Sequence, residues 1–378
     1  MLNTILGLSF LFLLLQSDNK TWFWTGLFTG ALWFWWIALS LQHYGYTWGI
    51  PIGILLIALG YGIIFAFIAY ISTILAKITS LPSLFIKALA LLVFSYLHPF
   101  GFDWFKPELV FVKSYIGIEK WQFALVLLSI SLTIWKKNFN YLLLILLAYQ
   151  PTHAIETKNN PDFTLVTTHT KVEDKWDTHL HQAQFQRLFS LIDKAIDAHK
   201  SLIVLPESVF PIFLNHSPQL MQILKEKAKD ISIVTGALYW DGKTPRNSTY
   251  IFSNNRLTIA NKVVLVPFGE SNPLPHFLSS WVNQVFYDGA IDYEADKNIT
   301  DYMIDGRTYR NAICFEATSE KLYSGHPKNM IVLSNNGWFY PSIEPTLQKL
   351  LLLYYSQKYG TTIYHSVNMS ESYIIHPS

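Results

Sequence analysis

Residues 261–270 read N-K-V-V-L-V-P-F-G-E. An aliphatic, largely β-branched run behind a lysine has the composition of a short buried strand. The proline ends the run because it cannot donate a ladder hydrogen bond, and Gly269 and Glu270 fall in the turn that follows. The stretch thus carries a cation, Lys262, at one end of an apolar strand and a carboxylate, Glu270, beyond the other.

Two further stretches repeat the pattern. I-V-L-P-E-S-V-F-P, 203–211, runs apolar and stops at Glu207; N-A-I-C-F-E, 311–316, closes a strand on Cys314 and sets Glu316 two residues later. Sheet proteins gather their sites at strand ends. Cys314 is the only cysteine in 378 residues, which excludes an internal disulfide and a cysteine-cluster metal site. Its thiol is either a small buried hydrophobe or a nucleophile. Glu207, Lys262 and Cys314 lie 55 and 52 residues apart, room for strand-helix units between them.

Working outward, strand-like runs recur at 163–168, 201–205, 231–236, 248–252, 262–266, 311–315 and 330–334, with a further one near 372–376. Helical spacing appears over 178–199, 219–228 and 343–360. Residues 151–378 therefore read as one α/β domain with a full core.

Residues 1–150 read differently. The chain as a whole is 51% hydrophobic and 14% charged, against about 25% charged for a soluble domain. Apolar stretches approaching the ~20 residues of a membrane helix fall at 2–16, 21–42, 49–76, 83–99, 121–135 and 140–149, a count of about six spans. The opening stretch has no basic n-region and no small-residue cleavage site, so it reads as a span and not a signal peptide. Lys20, Lys77, Lys87, Lys136 and Lys137 fall on one side, and the positive-inside rule makes that side cytoplasmic, leaving everything after residue 150 outside.

A carboxylate, an ammonium and a thiol make a complete acyl-transfer set. The thiolate attacks, a glutamate takes and returns its proton, and a lysine stabilises the oxyanion. No cofactor is needed. The net charge of +2 gives no basic face for nucleic acid, and no phosphate-binding glycine loop is present. His179 and His181 stand two apart on a helical segment, do not share a face, and make a poor metal pair.

Taken together, L-P-E-S, N-K-V-V-L-V-P-F-G-E, I-C-F-E, S-N-N-G-W-F at 334–339 and the multispan half resemble the membrane branch of the nitrilase superfamily, the apolipoprotein N-acyltransferases. The resemblance implies a transmembrane helical domain over 1–150 and a nitrilase-like α-β-β-α sandwich over 151–378, on the periplasmic side of a bacterial inner membrane. It implies transfer of an acyl chain from a phospholipid to the N-terminal amine of a lipidated apolipoprotein, through a thioester on Cys314. It makes Glu207 the general base, Lys262 the oxyanion stabiliser and Cys314 the nucleophile, with Glu270, Phe315, Glu316, Trp176 and Trp338 on the substrate side.

The chain departs from the family at Phe315, where a tyrosine is usual, and in showing six spans where the family has eight. A membrane-tethered amidase with the same triad, and a non-catalytic lipid-binding relative, are the alternatives. The apolar segment 273–286, directly after Glu270, reads as a lid that touches lipid or as a core helix.

Overall fold

The computed structural model describes residues 1–98, 102–151, 153–158, 160–267, 269–271 and 293–377. The chain falls into two units: Met1–Pro99 with Asp103–His153 and Ser342–Tyr354, and Phe100–Phe102 with Ala154–Pro341 and Tyr355–Ser378. The expected lid at 273–286 lies outside the described residues.

The first unit is helical: α1 (Leu2–Gln16), α2 (Asn19–Trp33), α3 (Ile50–Thr79), α4 (Ser83–Phe94) and α5 (Lys120–Lys136), with apolar 3₁₀ segments at Trp35–Tyr44 and Phe139–Ala148. Asp18 starts α2 by accepting the Thr21 N–H at 2.8 Å. Among the described residues, one helix, Thr47–Thr79, is long and apolar enough to cross a bilayer. Asn19–Trp33 and Trp35–Tyr44 make a second if the pair, bent by 46°, forms one span.

The other expected spans form shorter apolar elements. The expected 83–99 span is helical only to Phe94, and its 12 residues reach about 18 Å, short of the ~30 Å hydrocarbon layer. Just past its end, Ser95 joins a buried ionic cluster. Glu108, fully buried, accepts from the Ser95 hydroxyl at 2.7 Å and the Tyr354 hydroxyl at 3.0 Å, and pairs with Lys120.

Helices α2 and α3 pack through small residues. On α2, Gly26 and Gly30 are four apart on one face, and a Cβ at Gly30 would stand 2.7 Å from Ala58 Cα and 2.8 Å from the Ile57 carbonyl of α3. Only glycine lets the two backbones approach this closely, the small-xxx-small packing of membrane helices.

In the second unit the strands β1 to β13 form two sheets. One has the order β1 (Ile155–Thr157), β13 (Tyr373–His376), β12 (Thr362–Asn368), β11 (Asn329–Asn335), β10 (Arg307–Ile313), β9 (Asp301–Ile304), with β3 (Thr167–Thr168) beside β12. The other runs β2 (Phe163–Leu165), β4 (Leu202–Val204), β6 (Ser232–Trp240), β7 (Pro245–Ser253), β8 (Arg256–Asn261), with β5 (Phe210–Phe213) beside β6. Strands β10, β11 and β12 are parallel, as are β2, β4 and β6, and the interior ones are apolar on both faces.

The sheets meet face to face. Val204, Val234 and Ile251 of one pack with Ile331, Leu333 and Tyr364 of the other. On its second face the β2–β8 sheet is covered by α7 (His181–Asp197), through Leu188 and Ile192, and by α8 (Pro218–Lys227), through Leu224. The short helix α6 (Val172–Trp176) precedes α7, and α9 (Glu344–Tyr359) makes the crossover between the parallel strands β11 and β12.

One expected strand is displaced. The hairpin joining β7 to β8 turns at Asn254 and Asn255, both with positive φ (51° and 59°), which sets the register Ser253 to Arg256 through Ser248 to Asn261. The Lys262 N–H continues the pairing once, to the Asn247 carbonyl, and the apolar run then leaves β7. Val263 and Val264 donate instead to the carboxylate of Glu316, at 2.7 and 3.1 Å.

Candidate active site

Glu207, Lys262 and Cys314 each follow directly or closely on a strand of one of the two facing sheets. Glu207 lies three residues past β4, in a turn where Ser208 has φ 47°. That turn lies so close to β6 that a Cβ on Gly236 would stand 2.4 Å from the Ser208 nitrogen. Cys314 follows the last residue of the parallel strand β10 and has φ 53°, a left-handed conformation costly for a residue with a Cβ. Lys262 follows the last residue of β8, and its N–H donates to the Asn247 carbonyl of β7 at 2.9 Å.

Glu207 and Lys262 lie in a buried, highly charged cluster, and the half-buried Cys314 lies within electrostatic reach of Lys262. Glu207 is 7% exposed and Lys262 1%. Lys262 Nζ lies 2.7 Å from Glu270 Oε2. Asn247 Nδ2 donates to Glu207 Oε1 at 2.8 Å and to Glu270 Oε1 at 3.0 Å; with acceptors on both sides, its amide can present only the NH₂ group. Burial works against the Lys262 charge, but Glu270, Glu207 and Cys314 outweigh it and hold the ammonium above the ordinary lysine range. Burial pushes Glu207 up against the opposing pull of Lys262.

Glu270 and Glu316 have protein partners. Besides Lys262 and Asn247, Glu270 accepts the Val266 N–H at 2.9 Å. Glu316 accepts Ile313 N–H on Oε1 at 2.8 Å and the two valine N–H groups on Oε2, joining the strand end that bears Cys314 to the segment that bears Lys262. Burial raises its carboxyl to about 7.

Phe315 is buried and stacks on Phe102 with centroids 6.3 Å apart. Trp176 is 41% exposed at the end of α6, outside the cluster. Trp338 lies in the 3₁₀ turn Asn336–Phe339, which abuts α6: a Cβ on Gly337 would stand 3.3 Å from Val172 Cγ2. His179 lies in a turn and His181 opens α7; among the described residues no cluster of histidine, cysteine and acidic groups could hold a metal.

Two members of the cluster are absent from the sequence reading. Asn247, in the polar stretch R-N-S-T of β7, has no distinguishing signal. Lys175 is 2% exposed, and its Nζ donates to the Glu207 carbonyl at 3.1 Å. Burial brings it down to about 8, with Glu207 and Cys314 pulling the other way. The signal for Lys175 is its spacing: it stands three residues after Val172, the one aliphatic residue of α6, and so shares the inward face.

Residues 1–152 match the family model described as the apolipoprotein N-acyltransferase integral membrane domain. The chain is 40% identical to the apolipoprotein N-acyltransferase of Wolinella succinogenes over 385 aligned positions, covering 100% of this chain and 90% of that one. It is 37% identical to that of Helicobacter pylori, covering 96% and 85%. A CN-hydrolase superfamily protein from Xanthomonas campestris is similar over 59% of this chain and 80% of that one, at 12% identity and TM-score 0.41.

Proposed function

The chain belongs to the apolipoprotein N-acyltransferase family, and we propose that Glu207, Lys262 and Cys314 move an acyl chain from a phospholipid to the N-terminal amine of a lipidated lipoprotein. The family makes it an acyltransferase of a bacterial membrane acting in lipoprotein N-acylation. The finer steps follow from the residues.

Glu207 takes the thiol proton of Cys314, and the thiolate attacks the carbonyl of a phospholipid acyl ester. Lys262 stabilises the oxyanion that forms. Collapse breaks the ester C–O bond; the leaving alkoxide recovers the proton from Glu207 and departs as a lysophospholipid, with the acyl group on Cys314 as a thioester. The amine of the lipoprotein's diacylglyceryl-cysteine then attacks the thioester and loses a proton to Glu207. The C–S bond breaks, an amide remains, and Cys314 regains its proton. A carboxyl whose affinity for protons is raised by burial is better suited to receive a proton and return it.

In this reading residues 1–150 hold the chain in the inner membrane with about six spans, bent and short elements included, and residues 151–378 work on the periplasmic side. Glu270 and Glu316 keep Lys262 and Cys314 in place. Phe315, Trp176 and Trp338 line the approach of the substrates, and no cofactor takes part.

The observation that carries the proposal is that the buried Lys262 pairs with Glu270 at 2.7 Å while Asn247 joins Glu270 to Glu207, with Cys314 within electrostatic reach of the lysine. Incubating the purified full chain with a phospholipid labelled in its acyl chain tests it. A hydroxylamine-sensitive label on Cys314, discharged by a diacylglyceryl-cysteine peptide, is expected. Release of free fatty acid with no transfer to the peptide, or no label on Cys314, overturns it.

A further inference from the structure

No step above uses Lys175, yet it is among the most deeply buried charges of the second unit. An ammonium out of water carries a large desolvation cost that a methionine of similar length avoids, and replacing buried charge by a hydrophobe is often neutral or stabilising. Stability alone therefore gives no reason for a lysine here. Its surroundings do. Its Nζ donates to the backbone carbonyl of Glu207, at 3.1 Å, in the turn where Ser208 is left-handed and Gly236 presses on the backbone. It also lies within electrostatic reach of both Glu207 and Cys314.

The charged groups facing one another are then Glu207, Glu270 and Glu316 against Lys262 and Lys175, with the thiol among them. Lys262 is already paired with Glu270. A thiolate forming at Cys314 adds a negative charge to a cluster rich in carboxylates, which raises the thiol's proton affinity unless a second cation is near.

We propose that Lys175 is a positioning residue of this site: it anchors the Glu207 turn through the backbone and supplies the second positive charge that keeps the Cys314 thiolate accessible, leaving Lys262 for the oxyanion. The link to acyl transfer rests on the function proposed above; the charge relation holds for any chemistry at Cys314.

Because Cys314 is the only cysteine, its alkylation by iodoacetamide reports the thiolate without ambiguity. The measurement is the rate against pH in the full-length, detergent-solubilised chain, for wild type, Lys175→Arg, Lys175→Gln and Lys175→Met. Lys175→Gln keeps an N–H for the Glu207 carbonyl and removes the charge. It and Lys175→Met are expected to alkylate about tenfold more slowly at pH 7, with the profile moved up by about one pH unit. Lys175→Arg is expected to stay within about threefold of wild type.

A folded Lys175→Gln protein with the wild-type profile overturns the proposal. If the neutral variants do not fold, Lys175→Arg decides: a tenfold loss with an intact melting profile overturns it, and retention supports it. A shifted alkylation profile in a protein that transfers no acyl group rejects the transfer reading and leaves the role of Lys175 standing; wild-type alkylation with intact transfer does the reverse.

Discussion

Lys262 Nζ lies 2.7 Å from Glu270 Oε2, with the lysine 1% exposed and the glutamate side chain 13%. At that burial neither charge is screened by water, so each depends on the other. Removing one partner leaves an uncompensated charge and costs about 3–5 kcal/mol, while removing both costs much less. Lys262→Met and Glu270→Gln are each expected to lower the apparent Tm in detergent, and the double variant to recover at least half of the summed loss. All three are expected to be inactive in transfer. Additive melting losses would show that the pair is not coupled.

Glu316 ties the Cys314 turn to the Lys262 segment and titrates where it matters. Its carboxyl is raised from 4.5 to about 7 by burial. The folded protein therefore binds this proton more tightly than the unfolded chain. The contribution is fully present below about 4.5 and is lost as pH rises through 7, a change on the order of 3 kcal/mol. Glu316→Gln removes the titration. Its stability relative to wild type is expected to be lowest near pH 4.5 and to improve steadily towards pH 7.5, read as the difference in apparent Tm across that window. A pH-independent difference would remove Glu316 as the titrating group.

Which of these relations was legible beforehand follows from their range along the chain. Glu207, Lys262 and Cys314 were visible because each ends a local apolar run, and helices α7, α8 and α9 because their spacing is local. The run 262–266 reads as a strand because it is apolar, yet past Lys262 it leaves β7. Glu316, more than 50 residues later, takes the N–H groups of Val263 and Val264, a partner that local composition does not reveal. Lys175 and Asn247 join the site only through contacts 32 and 40 residues long. Span ends are no more legible: hydropathy carries the apolar stretch through Leu97, whereas the helix ends at Phe94 and Ser95 donates to the buried Glu108.

The close approach of α2 and α3 gives a prediction for the membrane half. A methyl at Gly30 would meet Ala58 Cα at 2.7 Å and the Ile57 carbonyl at 2.8 Å, both backbone atoms that cannot swing aside. Gly30→Ala is expected to lower the apparent Tm and Gly30→Leu to prevent recovery of folded protein from detergent extracts. At Gly60, where a Cβ would meet nothing within 4 Å, alanine is expected to be tolerated. Equal behaviour of Gly30→Ala and Gly60→Ala would show that helix propensity, and not helix contact, sets the cost.

Cys314 separates chemistry from stability in one position. Its φ of 53° is a conformation in which a Cβ is strained by about 1–2 kcal/mol and a glycine is not. If the sulfur were a packing filler, removing it would cost stability and the backbone would relax little. If it is the nucleophile, the strain is kept for the sake of the thiol's placement. Cys314→Ala and Cys314→Gly are both expected to lose transfer and acyl labelling completely. Their stabilities should differ in the direction opposite to ordinary helix and strand preferences: Cys314→Gly should melt higher than Cys314→Ala, by about 1 kcal/mol. The check is a melting comparison of the two variants in the same detergent, beside wild type. Should the glycine variant melt lower than the alanine variant, the left-handed backbone at 314 is not retained in the protein, and the proposed placement of the thiol at the end of β10 fails with it.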